Sequence, residues 1–165
     1  MKKTLSMLAR YNAWANRVMF DAVAALPEGE ALKPRASLFS NMVHTLNHNY
    51  VIGLIWQAHM SGREHGFAAR NTPEHPPLPE LRRSQALLDA WYISQGDTLS
   101  DAALDERLAF TLIGGNRGEM TRAEMMLHVV THCSYHRGFV ADLFFQVPAR
   151  PPAMDLPVYL RARRG

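Results

Sequence analysis

Cysteine is almost missing from this chain: Cys133 is the single one among 165 residues. One thiol can neither close an internal disulfide nor build a cysteine-rich zinc site, which suits a reducing compartment and predicts a cytoplasmic protein. Long apolar runs are missing too, and none approaches the roughly eighteen residues of a membrane span. Met1-Lys2-Lys3 is followed by Arg10, Asn12 and Asn16 instead of the apolar centre of a secretory leader, so neither secretion nor membrane insertion is expected. Positive charge lacks concentration: the net +3 comes from scattered residues, apart from the tail residues Arg161, Arg163 and Arg164. A nucleic-acid-binding face clusters its lysines and arginines, so specific nucleic-acid binding is not expected. There is no glycine-rich phosphate loop, nucleophile elbow or Ser-His-Asp arrangement; Gly114-Gly115 falls in a turn with no phosphate-binding lysine after it.

What remains is an ordinary globular composition, 47% hydrophobic and 20% charged, at a length that supports one domain over residues 1–165. Apolar residues at helical spacing predict a first helix from Thr4 to Ala25, a second from Ser37 to Met60 ended by Ser61-Gly62, and a third from Pro79 to Asp97. Between the second and third, residues 62–78 carry Gly62, Gly66, Pro73, Pro76 and Pro77 and predict a long surface loop with His65 and His75 exposed. Residues 106–120 alternate loosely around Gly114-Gly115-Asn116, the pattern of a small hairpin. Thr121-Arg122-Ala123-Glu124 is a capping-box sequence opening a last long helix that reaches about Phe145, before Pro148. Asp155-Leu156-Pro157-Val158-Tyr159-Leu160 predicts a short final helix. The expected fold is all-α: a four-helix bundle with a small β-hairpin insert before the last long helix. Trp14, Trp56 and Trp91 fit core or interface positions.

Histidine is the unusual component, with five of the eight in two short segments: His44 and His48, then His128, His132 and His136. On a helix, residues four apart differ by only about 40° around the axis, with Cβ atoms roughly 5–6 Å apart. His132 and His136 therefore point the same way and can grip one metal ion. Met125, Val129, Phe139, Val140 and Leu143 share their face, and Val51, Ile52 and Ile55 share that of His44 and His48, so both groups are expected to face the core. Buried imidazoles need partners for their ring nitrogens. Three neutral imidazoles from two helices, with a coordination position left open, is a catalytic zinc-type arrangement; individually satisfied core histidines are the alternative. Spacing alone does not choose between His44 and His48, or place His128 in or out of the set. Cys133, rotated about 100° from His132, is expected to face away as a packed or partly exposed thiol.

Several blocks resemble the DinB family, within the DinB/YfiT-like superfamily. These are Met7-Leu8-Ala9-Arg10-Tyr11-Asn12-Ala13-Trp14-Ala15-Asn16; Val43-His44-Thr45-Leu46-Asn47-His48 with Trp56 downstream; Leu127-His128-Val129-Val130-Thr131-His132 running into His136-Arg137-Gly138; and Asp155-Leu156-Pro157-Val158-Tyr159-Leu160-Arg161. The resemblance runs nearly end to end. It implies a four-helix bundle, a homodimer, and a divalent metal held by His48, His132 and His136, with His44 and His128 in the surroundings. The chain departs from the family's common pattern at Gly53, where an acidic residue is frequent, and at Tyr135 and Phe139, where histidine and glutamine are frequent.

Relatives of this kind include transferases and isomerases that use low-molecular-weight thiols. The leading expectation is a metal-dependent enzyme whose ion, zinc or nickel first and iron or copper next, activates a thiol or water. Asn12 is expected either to orient the thiol or to be a satisfied buried amide. The alternative is a non-catalytic stress-response protein that binds metal or a small ligand. Because ligating imidazoles must be unprotonated, affinity is expected to fall below the ordinary histidine pKa of roughly 6.5.

Overall fold

The computed structural model describes residues 1–163; Arg164 of the basic tail lies outside the described residues. Four long helices carry most of the chain: α1 (Lys2–Ala24), α2 (Met42–Met60), α3 (Leu78–Thr98) and, after a short α4 (Asp101–Asp105) and an antiparallel hairpin of β1 (Arg107–Thr111) and β2 (Arg117–Thr121), α5 (Arg122–Leu143). A 3-10 turn, Phe144–Gln146, extends α5, and α6 (Leu156–Ala162) closes the described chain. No described helix is long and apolar enough to cross a membrane.

Local chemistry explains the boundaries. Thr121 accepts from the Glu124 amide while the Glu124 carboxylate accepts from the Thr121 amide, completing the capping box that starts α5. The second helix starts at Met42, later than the expected Ser37, because Asn41 is extended and its side chain accepts from the His44 amide at 2.7 Å. Residues 37–41 consequently bend across the end of α2. The unforeseen α4 is capped by Ser100 and is too short to show a period.

The four long helices pack mutually, α1 on α3 and α5, and α2 on α5 and α3. Helices α1 and α3 run antiparallel, cross-linked by Arg10 and Ser6 to Asp97, Asn16 to Asp89, and Asp21 to Arg82. They approach closely at Gly96, where a Cβ would sit 2.9 Å from the Ser6 Cα. One apolar cluster joins Leu5, Val51, Ile55, Leu88, Tyr92, Met125 and Val129; a second joins Met19, Phe20, Leu46, Leu81, Val140 and Leu143. Trp56 lies in the first, while Trp14 and Trp91 are half-buried.

Between the clusters every long helix contributes buried polar residues: Asn12 and Asn16, Asn47 to Asn49, Gln85 and Asp89, His136 and Arg137. The Arg137 guanidinium, 2% exposed, donates to Asn12 Oδ1 at 2.7 Å, Asn16 Oδ1 at 2.6 Å and Ser134 Oγ at 2.9 Å. Asn16 then donates from its Nδ2 to both Asp89 oxygens, at 3.0 and 3.1 Å, and Gln85 donates to Asp89 at 3.0 Å. A buried cation and a buried carboxylate are thus joined through one amide. Burial pushes the Asp89 carboxyl up to about 6, opposed by the Asn16 and Gln85 hydrogen bonds and by Arg137.

Removing one member of such a set strands the other charge. Arg137→Met should cost about 3–5 kcal/mol in urea unfolding of the metal-free protein, and Asp89→Asn in the same chain should restore part of it. A loss below about 1 kcal/mol would contradict this role for Arg137.

Candidate metal centre

His48 projects from α2, and His132 and His136 from α5. Their rings gather with centroids 5.0 Å (His48 to His132), 4.5 Å (His48 to His136) and 4.4 Å (His132 to His136) apart. One ring nitrogen from each falls within 4.8 Å of the others, an arrangement that could hold a metal ion. His48 and His136 are buried and His132 is half-buried, so the row stands at the flank of the core. Cys133, by contrast, is buried within the apolar cluster, and burial pushes its thiol up to about 11.

The histidine tautomers follow from their neighbours. His48 Nδ1 lies 2.9 Å from the Arg70 carbonyl, which can only accept, so Nδ1 carries the proton and Nε2 keeps its lone pair. That Nε2 is 3.0 Å from His132 Nε2. Two nitrogens bound tetrahedrally to one ion at about 2.0–2.1 Å stand about 3.3 Å apart, close to the spacing already present. His136 Nδ1 is buried without a hydrogen-bond partner among the described residues. An orphaned buried nitrogen and two facing Nε2 atoms fit a cation with imidazole ligands.

The segment holding His48 is irregular. In residues 61–77 the Thr72 amide donates to Asn47 Oδ1 at 3.1 Å while the Thr72 hydroxyl donates to the Glu74 carbonyl at 2.7 Å, and Asn71 donates to Asn47 Oδ1 at 3.3 Å and to the His44 carbonyl at 2.9 Å. This clip, one residue from His48, sets the Arg70 carbonyl on the ring. The same cover explains why α2 is buried on nearly all sides, fifteen of its nineteen residues, instead of along the one expected stripe. It also brings His65 and His75 to half-burial, contrary to their expected exposure: His65 packs on His59, and His75 lies 6.2 Å from His44.

Aromatic rings surround the cluster. Phe39, in the bend before α2, lies 4.5 Å from His48 and 5.6 Å from His136; Tyr135 and Phe139 lie 5.1 and 5.5 Å from His136. His44 approaches Ser40 Oγ at 3.2 Å, and His128 packs against Trp56, both one turn from the central three. Asn12 is a buried amide whose Oδ1 accepts from Arg137 at 2.7 Å, in keeping with the second of its two expected roles. Gly53 does not face open space: a Cβ there would meet Leu88 Cδ2 at 2.7 Å, so any larger side chain would have to push the Leu88 side chain aside. Asn47 and Arg137 stand in the family-like blocks, but their roles, like that of Arg70, were not readable in the sequence, because their partners lie far along the chain or in the loop.

Burial, reinforced by the neighbouring imidazoles, holds His132 down to about 3, and burial with His48 holds His136 down to about 4. Burial also lowers His48, partly offset by the Arg70 carbonyl. Protons therefore compete for these rings well below the expected 6.5. An unfolded chain takes up these protons first, so the metal-free protein should lose stability as pH falls from about 6.5 toward 4. Chemical unfolding across that range checks this, and the slope should shrink in His132→Leu; an unchanged slope would show that His132 is not held neutral.

The chain matches the DinB family over residues 1–164 and belongs to it. It is similar to the protein DinB of Bacillus subtilis (strain 168), 26% identical over 157 residues covering 93% of this chain and 91% of that one.

Proposed function

We propose that residues 1–165 form a single DinB-family domain built as a four-helix bundle, that His48, His132 and His136 bind one divalent ion, and that the protein is a metal-dependent enzyme of the thiol S-transferase or isomerase type. The observation that carries this reading is the three-imidazole cluster with its orphaned His136 nitrogen and its oriented His48. The proposed ion is zinc or nickel first, with iron or copper next, since three imidazoles suit all four. Such an ion supplies an open coordination position that acidifies a bound thiol or water.

The chain's own residues prepare that position. The Arg70 carbonyl fixes the His48 ring, and the Asn47 clip fixes Arg70. Phe39 and Phe139 limit water around the histidines. Cys133 is not the nucleophile, since its thiol is buried and held protonated at neutral pH. A low-molecular-weight thiol therefore has to come from solution. We further propose a homodimer, supported by the exposed Leu127, Tyr135 and Phe145, and a cytoplasmic location without specific nucleic-acid binding, supported by the single cysteine and by arginines already paired to Asp21, Asp97, Glu106 and Glu119.

Elemental analysis of untagged protein should find one divalent ion per chain, lost in His48→Ala, His132→Ala or His136→Ala and retained in His59→Ala. Asn47→Leu should weaken zinc binding about ten- to a hundredfold in a chelator competition. In the cobalt-loaded protein a small thiol should produce a thiolate-to-metal charge-transfer band. Equal metal retention in all four histidine variants would overturn the site; metal binding without a thiol band would favour the alternative, a stress-response protein that binds metal without this turnover.

A further inference from the structure

Away from the histidines, α1 and α3 flank a cavity of about 480 Å³ that opens to solvent. Its walls are apolar, including Trp14, Phe20 and Ile93, while Asn16, Gln85 and Asp89 lie at its base. These three are 3%, 4% and 6% exposed, so the polar base is part of the core. An apolar pocket with a few convergent polar groups is the usual form of a small-molecule site.

The hydrogen-bond inventory of the base is lopsided. Asp89 receives Asn16 on both oxygens and Gln85 on Oδ1 alone, leaving lone-pair capacity on Oδ2. Gln85 spends its amide nitrogen on Asp89, and its Oε1 has no partner among the described residues. Asn16 is fully engaged between Arg137 and Asp89. What the base lacks is donors. At the rim Arg82 pairs with Asp21, and Arg17 lines the cavity only from its solvent-exposed edge.

This inventory selects the ligand's chemistry. An anion seated at the base would meet a carboxylate with spare lone pairs and no free donor, since the Arg17 guanidinium stands at the exposed edge. A hard metal ion needs six or more oxygens, and the base offers a carboxylate already hydrogen-bonded plus one amide oxygen. A primary ammonium brings three donors on one atom, enough for Asp89 Oδ2 and Gln85 Oε1 together, and its attached carbon body matches the Trp14, Phe20 and Ile93 walls. We propose that the cavity between α1 and α3 is a second ligand site, which takes a small primary amine carrying an apolar body. The proposal stands independently of metal binding, because neither α1 nor α3 supplies a residue to the histidine cluster.

The test is a calorimetric titration of the full chain with 2-phenylethylamine, and with 3-phenylpropionate as a probe of similar shape and opposite charge, alongside NMR of the side-chain amides. The amine should bind saturably and shift the Asn16 and Gln85 amide signals, and 3-phenylpropionate should not. Gln85→Met, which keeps the volume and removes the orphaned acceptor, should weaken the amine about tenfold or more. Asp89→Asn should weaken it at least as much, and His132→Ala should leave it unchanged. Absence of amine binding, equal binding of 3-phenylpropionate, or an amine affinity unaffected by Gln85→Met would overturn the site. Loss of amine binding in His132→Ala would place the amine at the histidines and overturn it as well.

Discussion

Burying the Arg137 guanidinium constrains more of this molecule than any other single contact. A cation in a helical core must have its donors met and its charge answered. Asn12, Asn16 and Ser134 meet the donors, and Asp89, reached through Asn16, answers the charge. That requirement ties α5 to α1 and α1 to α3 at one level of the fold, and it divides the apolar interior into two clusters. The next residue back, His136, turns about 100° away on the same helix and joins His48 and His132. Holding Arg137 in register therefore holds His136 in register, so one polar layer serves both the core and the cluster.

His48 depends on a different device. Its helix is buried on nearly every side, yet the contact that orients its ring comes from residues 61–77, which have no regular structure. Irregular backbone carries carbonyls that no helix or strand has used. Arg70 directs one of these at His48, and Asn47 keeps the segment in place by accepting from the Asn71 side chain and the Thr72 amide at a single oxygen. The Tyr135 and Phe139 rings lie beside His136, 5.1 and 5.5 Å from it. Gly53 serves packing, because it admits Leu88 and leaves its carbonyl to accept from the Tyr92 hydroxyl at 2.8 Å.

Features with a local period or a local cap were legible in the sequence. The His132 and His136 pair follows from four-residue spacing, the start of α5 from Thr121 and Glu124, and the hairpin from Gly114-Gly115 between alternating runs. Choosing His48 over His44 rested on family resemblance, and the structure places the His48 ring against those of α5. Features whose cause is distant were not legible. Asn12 meets a partner 125 positions away, and nothing near it in the chain announces Arg137. His65 and His75 sit among prolines and glycines that suggest exposure, but the loop folds back on α2 through Asn71 and Thr72. The polar base of the α1–α3 cavity belongs to the same class, since it requires Asn16 and Gln85 to converge on Asp89 across two helices.

The central claim is that three imidazoles, and no thiolate of this chain, form the metal's protein ligands. X-ray absorption at the zinc edge of protein loaded with one equivalent tests it most directly. The account predicts three imidazole nitrogens at about 2.0–2.1 Å with a further light-atom ligand and no sulfur. A sulfur shell near about 2.3 Å, or a shell of oxygens without imidazole scattering, would contradict it.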